Sequence, residues 1–288
     1  MVAPGFLANP QVRQWLNGVE PAWTMLEFDS FNALHDEPSI HNHAIRLEPR
    51  LTATEVSASA VSVNTMLLLR RSAEAGGLKL TATGNLSRAV VEGMLGIEWP
   101  GYDKAELVQY NKVINEPDFL PLHFIRVLLQ TARLLRKSRG TLVPSPVGRR
   151  ILKGKQYGPL QALLFHVAFW RLNLGYFDRY PIDSWPQNEV GVVLWSLSAS
   201  GHDWGTRETL ARLCASPVIG VLESQWDFGS GAMEARILRP LLWFGLLESR
   251  REERLASELV ERRLYRKAPL FDRFLKFDVR VEGQDIRH

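Results

Sequence analysis

The chain has 288 residues, of which 45% are hydrophobic and 23% are charged, and its formal net charge is +4. These proportions are typical of a globular protein and argue against a disordered chain. The single cysteine, Cys214, excludes an internal disulfide, and the N-terminus has no basic start followed by an apolar run. The apolar runs at 160–170 and 237–247 are too short to span a bilayer. We therefore expect a cytoplasmic protein with no membrane partner.

Residues 1–50 are punctuated by five prolines and predict an irregular or short-helical N-terminal segment. Regular structure is expected to begin at Leu51. Thr52 is followed three residues later by Glu55, the spacing of a capping box at a helix N-terminus. A helix is therefore predicted over 53–75, and Gly76 and Gly77 are expected to end it.

A local pattern then occurs twice. Residues 78–80 predict a short strand, and 81–84 form a hydroxyl-x-x-Gly turn before a helix. Residues 119–136 predict a helix, 141–143 a strand, and 145–148 a second hydroxyl-x-x-Gly turn into a further helix. Helix, strand and such a turn are typical of the wing of a winged helix. The pattern predicts two winged-helix-like repeats over 51–180, packed as one body onto which the N-terminal segment folds.

A third winged-helix-like unit is predicted over 181–288. Residues 190–198 and 206–214 indicate short helices, and 232–248 indicate a helical stretch with a kink at Pro240. The charged stretch 249–267 fits either a β-hairpin wing or a helix with ion pairs. Pro269 is placed to begin a helix. The predicted fold class is mainly α with small β wings, built from tandem winged-helix-like units.

Several sequence blocks also resemble a known family. They are Leu78-Lys-Leu-Thr-Ala-Thr-Gly-Asn-Leu86, Asn115-Glu-Pro-Asp-Phe119, the wing pattern over 128–151, Leu163-Leu-Phe165, Asn173-Leu-Gly-Tyr-Phe-Asp178, Leu241-Leu-Trp-Phe-Gly-Leu-Leu247 and Pro269-Leu-Phe-Asp272. Together they resemble the C-terminal helical region of the uncharacterised bacterial Ri-plasmid ORF-three-type family. The function of that family is unknown, so the resemblance implies a fold and a bacterial origin but no activity.

Charge is distributed unevenly along the chain. Between Phe119 and Phe177 there is no Asp or Glu, whereas this span contains ten Lys or Arg residues. Charge segregated in this way creates a local positive field that attracts a polyanion or an acidic partner. Over 119–137, a helical arrangement would place Arg126, Gln130, Arg133 and Lys137 on one narrow face, and further cations follow on or beside the wing. The candidate nucleic-acid-binding residues are Arg126, Gln130, Arg133, Lys137, Arg139, Arg149, Arg150 and Lys153.

This cationic region has three interpretations. It binds nucleic acid, it docks an acidic protein, or it is a solvated or internally paired face. In a winged helix, the helix before the wing can enter a DNA groove while cations on the wing contact phosphates. The leading hypothesis is a bacterial DNA-binding protein, either a regulator or an accessory factor of a mobile element. The alternative is a non-catalytic interaction module that docks an acidic protein partner.

No catalytic motif accompanies these features. The sequence has no Walker loop, no Gly-x-Gly-x-x-Gly and no Gly-x-Ser-x-Gly. Cys214 follows an apolar helix face, which favours a buried thiol over a nucleophile assisted by His202 or His166. His41 and His43 match no closed four-ligand site. We therefore expect no enzymatic activity, no cofactor and no metal site.

Overall fold

The computed structural model describes residues 6–39, 41–252 and 262–282. In these ranges the chain is mainly α-helical with small antiparallel sheets, as predicted. The α-helices are α1 (Pro10–Leu16), α2 (Phe28–Ala33), α3 (Ala53–Val56), α4 (Ala60–Glu74), α5 (Arg88–Met94), α6 (Lys104–Tyr110), α7 (Leu120–Thr131), α8 (Pro146–Gly154), α9 (Tyr157–His166), α10 (Val190–Ser200), α11 (Arg207–Cys214), α12 (Ile219–Leu222), α13 (Phe228–Met233), α14 (Arg239–Trp243) and α15 (Pro269–Phe274).

The strands are β1 (Ile45–Leu47), β2 (Leu78–Lys79), β3 (Leu135–Ser138), β4 (Thr141–Pro144), β5 (Gly205–Thr206), β6 (Leu247–Arg251), β7 (Arg263–Lys267) and β8 (Leu275–Phe277). Short 3-10 turns occur at Ala22–Met25, Glu116–Asp118, Leu174–Phe177 and Gln187–Glu189, and π-helical segments at Val167–Arg171 and Glu234–Leu238. No helix in the described ranges has both the length and the apolar character needed to cross a membrane.

The chain divides into two compact units. One, which we call the central unit, comprises Pro49–Leu172. The other, the two-segment unit, comprises the described parts of Met1–Glu48 and Asn173–His288. The N-terminal segment does form short helices, as expected. It belongs, however, to the same unit as the C-terminal residues, because β1 pairs with β8 and the 3-10 turn at Ala22–Met25 contacts α10.

The central unit begins with the predicted capping box. The Thr52 hydroxyl accepts the N–H of Glu55 at 3.2 Å, and the Glu55 carboxylate accepts the N–H of Thr52 at 2.7 Å. The predicted single helix over 53–75 is wrong, because α3 ends at Val56 and Ser59 caps a new helix, α4. The buried Ser59 hydroxyl also donates to Gln161 Oε1 at 2.8 Å. This hydrogen bond between the cap of α4 and helix α9 stabilises the break between α3 and α4.

The two predicted strand-and-turn segments of the central unit lie in one sheet. Its strand order is β2-β4-β3, with Leu78 opposite Leu142 and Leu135 opposite Pro144. A Cβ built on Gly77 would lie 2.6 Å from the Thr141 hydroxyl oxygen, so glycine permits the close approach of β2 to β4. The two copies of the local pattern therefore supply an edge strand, β2, and the central strand, β4, of one sheet.

The helix before the hairpin is shorter than predicted. α7 ends at Thr131, Arg133 adopts a left-handed conformation with φ of 56°, and β3 begins at Leu135. The N–H of Leu134 bonds back to Leu129 O at 2.9 Å, and Leu134 O accepts the N–H of Ser145. These bonds turn the chain out of the helix, so that the buried Leu134 and Leu135 face the core. The predicted extension of the helix from residue 132 to residue 136 is therefore wrong.

The two-segment unit contains a second three-stranded sheet, with strand order β5-β7-β6. Of the two predicted alternatives for 249–267, the hairpin is confirmed by β6 and β7, and its tip lies outside the described residues. Thr206 caps α11 and Pro269 begins α15, as expected. The stretch from α13 to α14 is helical throughout, with a π segment just before Pro240, where the kink was predicted.

Candidate nucleic-acid interface

The β3–β4 hairpin of the central unit presents cations to solvent. Ser138 pairs with Thr141, so Arg139 and Gly140 form a two-residue loop, and both are left-handed, with φ of 47° and 76°. This geometry is a type I′ turn. Arg136 and Lys137 are exposed on β3, which is an edge strand, and Arg139 is exposed at the tip. The hairpin is therefore a projecting cationic element.

Helix α8 follows the hairpin directly and carries the next cations. The Ser145 hydroxyl caps it by accepting the N–H of Gly148 at 3.0 Å. A Cβ on Gly148 would clash with Leu134 O, so this glycine lets α8 pack closely against the residues before β3. The exposed cations of α8 and of its C-terminal cap are Arg149, Arg150, Lys153 and Lys155.

Two of the predicted residues point into the protein. The Arg126 side chain is only 12% exposed, and its Nε donates to Glu116 Oε1 at 2.7 Å. Arg126 Nη1 donates to Gln130 Oε1 at 2.8 Å, so Gln130 is occupied as well. The predicted cationic face of the helix over 119–136 is consequently divided. Arg126 and Gln130 are held in an internal hydrogen-bonded network with Glu116, whereas Lys137 lies on strand β3.

The partner of Arg126 is a buried carboxylate that sequence analysis missed. Glu116 is 0% exposed, and it hydrogen bonds to the Leu86 N–H and to His123 Nδ1, the latter at 2.7 Å. Burial alone would raise the pKa of Glu116. The hydrogen bonds from His123 and Leu86 and the positive charge of Arg126 outweigh burial and hold that pKa below its ordinary value. Glu116 therefore remains ionised and ties α7 to the loop before α5.

Apart from Arg126 and Arg171, the cations of the acid-free span lie in one stretch of chain, which we call the wing-and-α8 surface. Its members are Arg133, Arg136, Lys137, Arg139, Arg149, Arg150, Lys153 and Lys155, all of them exposed. Within the described parts of the chain, none of the eight forms an ion pair with an acidic side chain. Arg136 and Lys155 were not among the candidates from sequence, although both belong to the acid-free span. Their solvent exposure, which the sequence does not reveal, adds them to the surface.

Fold and surface together define a mainly α protein whose central unit presents a cationic hairpin and the helix after it. Residues 57–157, all in this unit, match the Y4jL N-terminal domain. The chain is also 40% identical over 78 residues to the uncharacterized protein y4jL of Sinorhizobium fredii. That match covers 27% of this chain and 36% of y4jL, so it spans about a third of the relative's length. No solved structure matches the chain.

These matches indicate a relationship with an uncharacterised bacterial family over the central unit. They do not support the Ri-plasmid ORF-three name or the assignment to a C-terminal region, because the matching domain is an N-terminal one. The blocks that suggested the resemblance at 78–86, 115–119 and 128–151 all lie in the matched residues. Neither of these two names describes an activity.

Proposed function

We propose that this protein binds nucleic acid, with DNA as the first candidate, through the wing-and-α8 surface. The observation that supports the proposal is the set of eight exposed cations between Arg133 and Lys155, which have no ion-pair partners among the described residues. Unpaired surface cations at this density attract phosphates and release their condensed counterions on binding. An exposed hairpin followed by a cationic helix offers two adjacent elements for one phosphate backbone.

We also infer that both units are winged-helix-like. The central unit has the order helix α4, strand β2, helices α5 to α7, then strands β3 and β4. The two-segment unit repeats this order with α10, β5, the helices from α11 to α14, and then β6 and β7. In both sheets the first strand pairs with the last one, which is central. The same succession of elements with the same strand order supports a tandem arrangement of two related units.

The biological setting is part of the proposal. We infer a cytoplasmic bacterial DNA-binding protein that acts as a regulator or as an accessory factor of a mobile element. The similarity to y4jL of Sinorhizobium fredii supports the bacterial setting.

Fluorescence anisotropy tests the binding proposal. The full chain is titrated against a labelled random duplex, a single strand and an RNA hairpin, each at low and at moderate salt. We expect binding that weakens steeply with salt. The double variant Arg133→Glu/Lys137→Glu should bind more weakly, and its log–log salt slope should flatten by about 0.9 for each duplex phosphate that it no longer neutralises. Lys112→Glu reverses an exposed cation outside the surface and is the matched control.

Equal affinity and an equal salt slope for the wild type and the double variant would remove the wing-and-α8 surface from consideration. If no nucleic acid binds at low salt and a pull-down returns a stoichiometric acidic protein, the protein is an interaction module that docks that partner.

A further inference from the structure

The wing-and-α8 surface contains an unusual concentration of strained backbone. Among the described residues, four that are not glycine have a positive φ: Asn17, Arg133, Arg139 and Lys155. The left-handed conformation is sterically unfavourable for residues with a Cβ, and Asn tolerates it better than most. Three of the four positions therefore hold long cationic side chains where the backbone favours glycine. All three belong to the same surface.

Each cation lies at a turn that usually contains glycine or asparagine. Arg133 follows the last turn of α7, and Lys155 caps α8 with its N–H bonded to Ile151 O. Arg139 is the first residue of the type I′ loop of the hairpin, where Asn or Gly predominates. Packing can require the turn itself, but neither packing nor an ion pair among the described residues requires a long cationic side chain at it, which is a reason to look for function.

Helix α7 is closed to a DNA groove. Every residue from Leu120 to Gln130 is buried or half-buried, and only Thr131 is exposed. Its cation, Arg126, is paired with Glu116. Base-specific contacts in a winged helix require an exposed helix edge in the major groove, and α7 offers none. The exposed cations lie at turns, on an edge strand and on α8.

We propose that Arg133, Arg139 and Lys155 are phosphate-contacting residues, and that the protein binds the backbone of duplex DNA independently of base sequence. The inference rests on the proposed function and specifies its ligand. A turn fixes the backbone from which the side chain leaves, and a backbone that is already ordered lowers the cost of a contact with phosphate. Contacts to phosphate position a protein on the duplex and contain no direct sequence information.

The first experiment measures the contribution of the three cations to DNA affinity separately from the effect of their left-handed backbone on stability. Arg133→Gly, Arg139→Gly and Lys155→Gly are combined in one variant of the full chain. We expect its affinity for duplex DNA at low salt to fall by at least tenfold and its salt slope to flatten by about 2.7, because three phosphates are no longer neutralised. Because glycine relieves the left-handed strain, the midpoint of urea unfolding should stay equal or rise. Asn17→Gly is the matched control, with the same backbone change, no charge change and unaltered binding.

The second experiment tests sequence independence. The wild type is used to select from a pool of random duplexes, and three unrelated duplexes are compared by anisotropy. We expect no enriched motif and affinities within about threefold. An enriched motif that binds more than tenfold more tightly would overturn the inference but leave the proposed function intact. Wild-type affinity of the triple variant, or a lowered unfolding midpoint, would also overturn it. No binding of any duplex by the wild type would instead refute the proposed function.

Discussion

Replacing Arg126 with Met should destabilise the central unit. The substitution keeps an unbranched apolar stem but removes the guanidinium cation from Glu116, whose side chain is 0% exposed. Breaking a buried ion pair from one side typically costs about 3–5 kcal/mol, because the other charge remains without compensation. His123 and the Leu86 N–H still contact the carboxylate, so we expect the lower end of that range, about 3 kcal/mol.

The assay is urea unfolding at pH 7, with hydrogen exchange of peptides from Pro49–Leu172 to assign the loss to the central unit. The double variant Arg126→Met/Glu116→Gln removes the orphan charge and should recover most of the loss. Because the folded-state pKa of Glu116 is lowered, the wild-type network stabilises above pH 4.5 and loses its effect as the pH falls through the folded pKa. The gap between wild type and Arg126→Met should therefore narrow in acid.

One outcome would refute this reasoning. If Arg126→Met unfolds within about 0.5 kcal/mol of the wild type, and its DNA affinity falls as much as that of the Arg133→Glu/Lys137→Glu variant, then Arg126 is an exposed binding residue. The internal ion pair would then have no structural role.

Three further predictions concern single side chains. Burial, opposed by a hydrogen bond from a backbone N–H, raises the pKa of Glu189 to about 8. The free energy of unfolding of the wild type should therefore fall between pH 4.5 and 8 by on the order of 1 kcal/mol per pH unit. Glu189→Gln should abolish this slope, and an equal pH dependence of the free energy of urea unfolding in both proteins would contradict the prediction. Gly148→Ala should cost about 1–3 kcal/mol by thermal unfolding, since its Cβ meets a backbone carbonyl, whereas Gly220→Ala, which meets nothing within 4 Å, should be nearly neutral. Arg236→Met leaves the Asp178 side chain, 6% exposed, without its bidentate partner and should cost about 3–5 kcal/mol in urea; a loss below 1 kcal/mol would show that the pair is dispensable.

Local features of the fold were accessible from sequence. Thr52 with Glu55, Ser145 before Gly148, and Thr206 all cap helices as their spacing predicts, because each cap involves residues within one turn. The end of α7 was not accessible. Leu134 and Leu135 continue an apolar pattern that fits a helix, and the residue that ends the helix is an arginine where glycine would be expected. The burial of these two leucines in the folded unit, and not their local sequence, determines where α7 ends.

Pairings between distant segments were missed for a similar reason. The strand at Leu78 was predicted, but its register against Leu142 depends on the sheet and not on either local sequence. The candidate site shows the same limit. A count of charges between Phe119 and Phe177 identifies a cationic span, yet the carboxylate that neutralises Arg126 belongs to Glu116, just before that span. Side-chain direction separates the exposed cations from the paired one.

The pairing of β1 with β8 has a consequence for synthesis on the ribosome. Ile45 is synthesised 232 residues before its partner Phe277. At about 5–20 residues per second, β1 waits roughly ten to fifty seconds for its strand partner. The central unit has no such delay, because all three strands of its sheet have been synthesised once Pro144 is reached. We expect the central unit to fold first, and β1 to lack its strand partner until Phe277 has been synthesised.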